Sequence, residues 1–358
     1  MQTYNTVPLI LNYTQPIRAY NALKWRKKTA PLQYENAQRA YLETMQDITI
    51  NVTNLFFTVL SAQENYRQSV ADYEDRKHLF EIAKKRLDLG TTTKSEVLQM
   101  ELSLLNAKMS VNSTSLTLRT QLFSLFSYLR IVDYGDIELL PPYYMPEIEM
   151  NAEQVLDKAW TGSSHSIEQQ LNLLESQRAL AEAKANRGLQ VEFRGRLGLS
   201  QSANELPAAY RRLKDYETVG LTMTIPIYDW GMGRGKVRMA KTDVEITKTQ
   251  IEQANIEFAH DVRTKVLQFN NQAEQCKTSL RAQDIAAERY DIMKKRFENG
   301  SVTVTELNTA QEEFESAQHQ YISQLQQFWT DYYGIQKLTL YDFIRKENIG
   351  VNFNDLVN

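Results

Sequence analysis

The sequence is poor in the residues that interrupt or crosslink a chain. It has one cysteine, Cys276, in 358 residues, which excludes a disulfide scaffold. Glycine occurs 13 times and proline 8 times, about half of average usage. Residues 32–89, 91–134, 236–299 and 301–333 contain neither. Such stretches are long against a mean helix of about 11–12 residues. No run of about 18 apolar residues occurs, which excludes a helical membrane protein. Charge of one sign is lacking too. Lys and Arg number 41, Asp and Glu 44, and the net charge is −3, which gives no support for nucleic-acid binding. Four scattered histidines and one cysteine cannot build the usual nitrogen–sulfur metal site. The opening residues lack the basic and apolar regions of a secretory leader. With 42% hydrophobic and 10% aromatic residues, disorder is excluded as well.

What is present is a repeat. Pro16-Ile17 recurs as Pro226-Ile227, and Lys85-Arg86 as Lys295-Arg296. Gly90, Thr93, Glu96 and Ala107 recur as Gly300, Thr303, Glu306 and Ala317. Each pair is separated by 210 residues without a gap, which indicates duplication of one structural unit. Each unit reads as a strand, a very long helix, a tight turn at Gly90 or Gly300, and a returning helix. Residues 236–299 as one helix would span roughly 96 Å at 1.5 Å per residue. Leu98, Leu102, Leu105 and Met109 carry coiled-coil spacing. Thr93-Lys94-Ser95-Glu96 and Thr303-Val304-Thr305-Glu306 fit capping boxes, with a hydroxyl at the cap and Glu at the third helical position.

Three segments alternate with period 2, over 9–17, 191–201 and 218–228. In the second, Val191, Phe193, Leu197 and Leu199 oppose Glu192, Arg194, Arg196 and Ser200. A half-buried strand of a soluble sheet shows the same alternation. Two features favour a transmembrane barrel: segments of about 10–11 residues can cross a bilayer when tilted, and the charged face suits a water-filled lumen. The loop 202–216 reads as a polar surface connection, and Gly231–Gly235 as a turn. So few strands cannot close a barrel, and an open edge in lipid is forbidden, so this reading demands an oligomer. The second repeat also carries a helical segment over about 152–188 and the strand 191–201. Subtracting 210 places their counterparts before residue 1. The expectation is that roughly 60 residues and a secretory leader precede Met1, or that a naturally truncated chain begins there.

Three pieces carry a family resemblance. Gly220–Gly231, with Arg234 beyond it, joins a strand through proline and aromatics to a glycine turn and long helix. Ala83–Gly90, continuing to Leu98, forms the first hairpin tip, and Lys295–Gly300, continuing to Leu307, the second. In this order they resemble the TolC-like outer-membrane efflux proteins. The resemblance implies a mainly α fold with β structure, in duplicated strand–long-helix-hairpin units. It implies a periplasmic α-helical barrel joined to an outer-membrane β-barrel, completed by oligomerisation into a homotrimer. It also implies a passive conduit whose tips dock a periplasmic adaptor linked to an inner-membrane transporter, with no catalysis and no cofactor. The competing reading is a soluble periplasmic coiled-coil adaptor or structural protein, which the hairpins serve equally well. The organisation expected is a first repeat (1–134), an equatorial segment with the leading helix of the second repeat (135–190), a second repeat (191–334) and an equatorial tail (335–358).

The resemblance also assigns residues. Glu96 and Glu306 would narrow the pore at its periplasmic end, where rings of carboxylate favour cations; each also reads simply as the acid of a capping box. Thr309 stands where the family's second tip acid lies, Val302 where its arginine lies, and Phe297 where its gating tyrosine lies. A gate built from a salt-bridge network is therefore not expected here. Arg86, Leu89, Gly90, Arg296, Asn299 and Gly300 are the candidates for adaptor docking, although both arginines also suit a helix C-terminus. Glu192, Arg194 and Arg196 are lumen candidates. Trp25, Tyr228 and Trp230 are candidates for an aromatic belt at the outer-membrane lipid interface. Cys276 reads as a buried small apolar residue.

Overall fold

The computed structural model describes residues 4–353, except 91, 134, 136, 143, 144, 212, 299, 300 and 303. The offset found in the sequence is reproduced by the elements. Strand β1 (Tyr4–Arg18) leads to helix α1 (Ala22–Asp88) and helix α2 (Lys94–Tyr128). Two helices follow, α3 (Ala152–Gly162) and α4 (His165–Arg187), and then strand β2 (Gln190–Ala203). A four-residue helix α5 (Leu206–Ala209) precedes strand β3 (Lys214–Thr224). Helix α6 (Met232–Glu298) and helix α7 (Val304–Thr339) complete the second hairpin. The chain ends in two short strands, β4 (Tyr341–Asp342) and β5 (Glu347–Asn348). Helices α1 and α6 each contain 67 residues, and both ends of α6 lie 210 positions beyond those of α1. Among the described residues no helix is long and apolar enough to cross a membrane.

Four local expectations are corrected. β1 is longer than 9–17. The third strand ends at Thr224 rather than 228, because its last partner on β2 is Gln190; Ile225 and Ile227 continue the alternation with nothing to pair against. The helical segment over 152–188 is broken in two at Ser163, whose backbone is extended. Only Gly231 of the Gly231–Gly235 stretch is a turn residue, with φ +83°, since α6 begins at Met232. In addition, α1 runs through Pro31, and α5 together with the early start of β3 shortens the 202–216 loop.

The chain divides into two compact units. One comprises residues 1–39 and 164–258, the other residues 40–163 and 259–358. The first holds the sheet, with β2 central and antiparallel to both neighbours. The second holds the hairpin tips and a core of Phe57, Leu60, Cys276, Ile322 and Leu325. Phe269, Phe328 and Tyr332 are fully buried nearby and pack ring against ring. The irregular chain between α2 and α3 is held by two side-chain amides, each of which mimics a strand neighbour. Gln63 donates to Leu139 O and accepts from Leu139 N, both at 2.9 Å. Asn270 does the same for Met150, at 2.9 and 3.0 Å. A buried backbone left unpaired here would cost about 1–3 kcal/mol per group.

Candidate functional site: channel wall and hairpin tips

The register of the sheet sorts its side chains onto two faces, because paired residues in antiparallel strands point the same way. One face carries the rows Leu9–Leu199, Leu11–Leu197, Tyr13–Gly195–Val219, Phe193–Leu221 and Val191–Met223. These apolar residues are not covered: Leu9 and Leu11 are each 65% exposed and Val219 is 73% exposed. The other face carries Asn12–Arg196–Thr218, Thr14–Arg194–Gly220 and Pro16–Glu192–Thr222. All three lumen candidates therefore share the polar face. Arg194 pairs with Glu192 at 3.0 Å. Among the described residues both outer strands, β1 and β3, have an unpaired edge.

An apolar face in a soluble sheet is packed on a core. This face is largely exposed and mainly apolar, with Asp215 and Glu217 of β3 entering only its two rows at Leu199 and Leu197, the pattern of a lipid-facing barrel wall with a polar rim. The aromatic candidates flank it. Tyr228 and Trp230 meet edge to face at 4.6 Å and are largely exposed. Trp25, in the first turn of α1, is half-buried, with the Lys28 ammonium 5.0 Å from its ring. Asp229 sets the start of α6. Its carboxylate accepts from Gly231 N at 3.0 Å and Gly233 N at 2.7 Å. Those two amides hold it below the ordinary carboxylate range, as expected of an anion at a helix N-terminus.

At the first tip Gly90 adopts φ +71°, a left-handed conformation that costs other residues about 1–2 kcal/mol. The capping box is complete. Thr93 Oγ1 accepts from Glu96 N at 3.2 Å, and Glu96 accepts from Thr93 N at 3.0 Å. Thr92 also donates to the Glu96 carboxylate. These donors, the Thr92 hydroxyl first, lower the Glu96 pKa, so its charge persists. Leu89 is 77% exposed, and Arg86 and Arg296 sit on exposed positions in the last turns of α1 and α6. Glu306 lies exposed in the first turn of α7. Thr309 is exposed and donates to Thr305 O at 3.0 Å. Asn299, Gly300 and Thr303 lie outside the described residues, so the second tip turn and its capping box are not placed.

The sequence reading missed a polar network that stitches the two hairpins together. On α1, Asp75 accepts from Lys294 at 3.0 Å and from the Tyr290 hydroxyl at 3.3 Å, both on α6. Asp72 accepts from Gln311 of α7 at 2.9 Å and pairs with Arg76 at 3.0 Å. Arg76 donates to Ser103 of α2 at 2.6 Å. All four long helices thus meet around Asp72 and Asp75, about 20 Å along α1 from its last residue. Burial, reinforced by Asp75, pushes the Tyr290 hydroxyl above its ordinary range, so it remains a donor. The contacts between the two hairpins join residues more than 200 positions apart, and no local motif marks them.

The seam Leu98, Leu102, Leu105 and Met109 is more than half exposed, as are Leu116 and Phe123 further along α2. Among the described residues these coiled-coil positions are left largely uncovered.

Comparison with known proteins gives a consistent result. A sequence comparison with curated proteins finds no significant match. The fold is similar to three solved outer membrane proteins among others. The CmeC outer membrane channel of Campylobacter jejuni aligns with TM-score 0.74 and 15% identity, over 97% of this chain and 72% of CmeC. The open-state MtrE channel of Neisseria gonorrhoeae gives TM-score 0.70 and 12% identity, over 94% of this chain and 80% of MtrE. The outer membrane protein VceC of Vibrio cholerae gives 0.67 and 13%, over 95% and 84%. The family model described as outer membrane efflux protein matches residues 1–129 and 163–339, most of the chain. The soluble-adaptor alternative therefore falls, and the chain belongs to the outer membrane efflux protein family.

Proposed function

We propose that this efflux channel is the passive outer-membrane duct of a tripartite efflux or secretion assembly. One observation carries the reading: a three-stranded sheet with an exposed apolar face, a charged opposite face and two unpaired edges. An edge in lipid leaves backbone groups unsatisfied at several kcal/mol each, so copies of the chain must complete the wall. A homotrimer is the assembly proposed, with outer-membrane lipid against Leu9, Leu11, Val219 and Leu221. Trp25, Tyr228 and Trp230 would lie at the lipid interface, and Glu192, Arg194 and Arg196 would face the lumen. The tips would dock a periplasmic adaptor through Arg86, Leu89, Gly90, Arg296, Asn299 and Gly300, and an inner-membrane transporter would supply the energy. Glu96 and Glu306 would line the periplasmic mouth, with Thr309 one turn further in. No residue is assigned a catalytic role and no cofactor is proposed. The domain boundaries proposed remain those of the repeat, 1–134, 135–190, 191–334 and 335–358.

The test has two arms. The detergent-solubilised complex should weigh three times the 41.5 kDa chain; a monomer or dimer refutes the trimer. In the source bacterium, Leu89→Asp should lower resistance across a panel of toxic compounds while the amount of outer-membrane complex stays constant. Unchanged resistance refutes docking at that residue.

A further inference from the structure

The polar face of the sheet is not electrically neutral. Among the described residues, Glu192, Arg194 and Arg196 lie on it, together with Lys214, the first residue of β3, which pairs with Ser200. Among the described residues Glu192 is the only acid on this face, and it is taken up by Arg194 at 3.0 Å. The acids at the outer end of β3, Asp215 and Glu217, pair with Leu199 and Leu197 and therefore point to the apolar side. The polar face keeps two uncompensated cations per chain. Arg196 lies beside the Tyr216 hydroxyl, a neutral neighbour on the same face. It is about 13 Å along the strand direction from the Lys214 row, more than the Debye length of about 8 Å at physiological salt, so the two cations act as separate levels of positive charge. Each copy added to the wall repeats both charges at the same level.

We propose that this face is an anion-attracting wall, and that Arg196 and Lys214 are the residues that set its sign. The chemical class it favours is a solute carrying carboxylate, sulfonate or phosphate. Rings of Arg and Lys select anions in pores as rings of acid select cations. The wall thus opposes in sign the carboxylates proposed at the periplasmic mouth. The inference rests on the channel reading, because it needs the face to be wet. A local potential of about one kT would favour a monovalent anion over a monovalent cation by about 7-fold.

The test is thiol accessibility in outer-membrane vesicles carrying the full-length chain. Asn12→Cys places a thiol directly opposite Arg196. The native Cys276 is buried and its thiol is pushed up to about 11 by burial, so it stays silent at neutral pH. Two methanethiosulfonate reagents are compared, one bearing a sulfonate and one a trimethylammonium group, each normalised to its rate with a free small thiol. The anionic reagent should react several-fold faster. The double variant Arg196→Gln/Lys214→Gln should bring the ratio near parity, and Arg196→Lys should preserve it, which separates charge from misfolding. A ratio at or below parity, or one that the double variant leaves unchanged, overturns the proposal while leaving the channel reading intact. Labelling by neither reagent means that the face is dry, and both readings fail.

Discussion

Replacing Val219 by arginine should cost this protein its place in the membrane, while the same change one residue away should be tolerated. On β1 and β2 the apolar face runs from the Leu9–Leu199 row to the Val191–Met223 row, and Asp215 and Glu217 of β3 edge its two rows at Leu199 and Leu197. That is eight residue steps along β2, about 27 Å at 3.4 Å per residue. With a strand tilt of about 40° the band stands about 21 Å tall, close to the roughly 25 Å of outer-membrane barrels. Val219 lies in the middle row, opposite Gly195, and is 73% exposed. Its substitution therefore loses little packing, and nearly all of the cost is solvation. Arginine at the bilayer midplane costs about 2–4 kcal/mol in a barrel, which becomes about 6–12 kcal/mol for three copies in one ring. Thr218 occupies the opposite face beside Arg196, where arginine meets water. The assay compares the amount of folded, heat-modifiable oligomer in the outer-membrane fraction for Val219→Arg and Thr218→Arg. Val219→Arg should be strongly depleted and Thr218→Arg near normal. Equal yields would refute the assignment of lipid and lumen faces, and depletion of Thr218→Arg alone would reverse it.

Two further outcomes are expected. A Cβ on Gly162 would lie 2.0 Å from the Thr339 carbonyl oxygen, and a backbone atom cannot rotate away. Gly162→Ala should destabilise the protein by about 1–3 kcal/mol or more, and an unchanged midpoint of thermal unfolding would show that α3 and α7 part easily. At the tip, Glu96 has its pKa lowered by the Thr92 and Thr93 donors. Its contribution is therefore full above the ordinary value of 4.5 and fades as pH falls through the lowered folded value. Amide-exchange protection at the start of α2 should differ between the starting protein and Glu96→Gln at neutral pH and converge in acid; a difference that persists would remove the carboxylate from the cap.

The hairpins were legible because their information is local and doubled. Gly90, Thr93 and Glu96 act within one turn, and a second copy stands at a fixed offset. The end of β3 was not legible. Ile225 and Ile227 keep the alternation, but a strand exists only where a partner stands, and β2 begins at Gln190. The break at Ser163 escaped for a similar reason, since α3 ends where its terminal glycine meets the backbone of α7. The network of Asp72, Asp75, Tyr290, Lys294 and Gln311 could not be read at all. Polar residues on long helices are usually solvated, and only the packing of four helices selects these. The charged residues of β2 are a middle case. Alternation sorted them onto one face, but their net sign required the register that sends Asp215 and Glu217 to the other.

The order of the sheet has a consequence for closure. Because β2 runs against both neighbours, β1 and β3 point the same way. Copies related by rotation that met β3 to β1 would place two like-directed strands side by side at every junction, and three copies would contribute an odd total. Single-chain bacterial outer-membrane barrels are antiparallel and even in number. A ring closed in that way would therefore differ at each β3–β1 junction from the antiparallel pairing inside every copy.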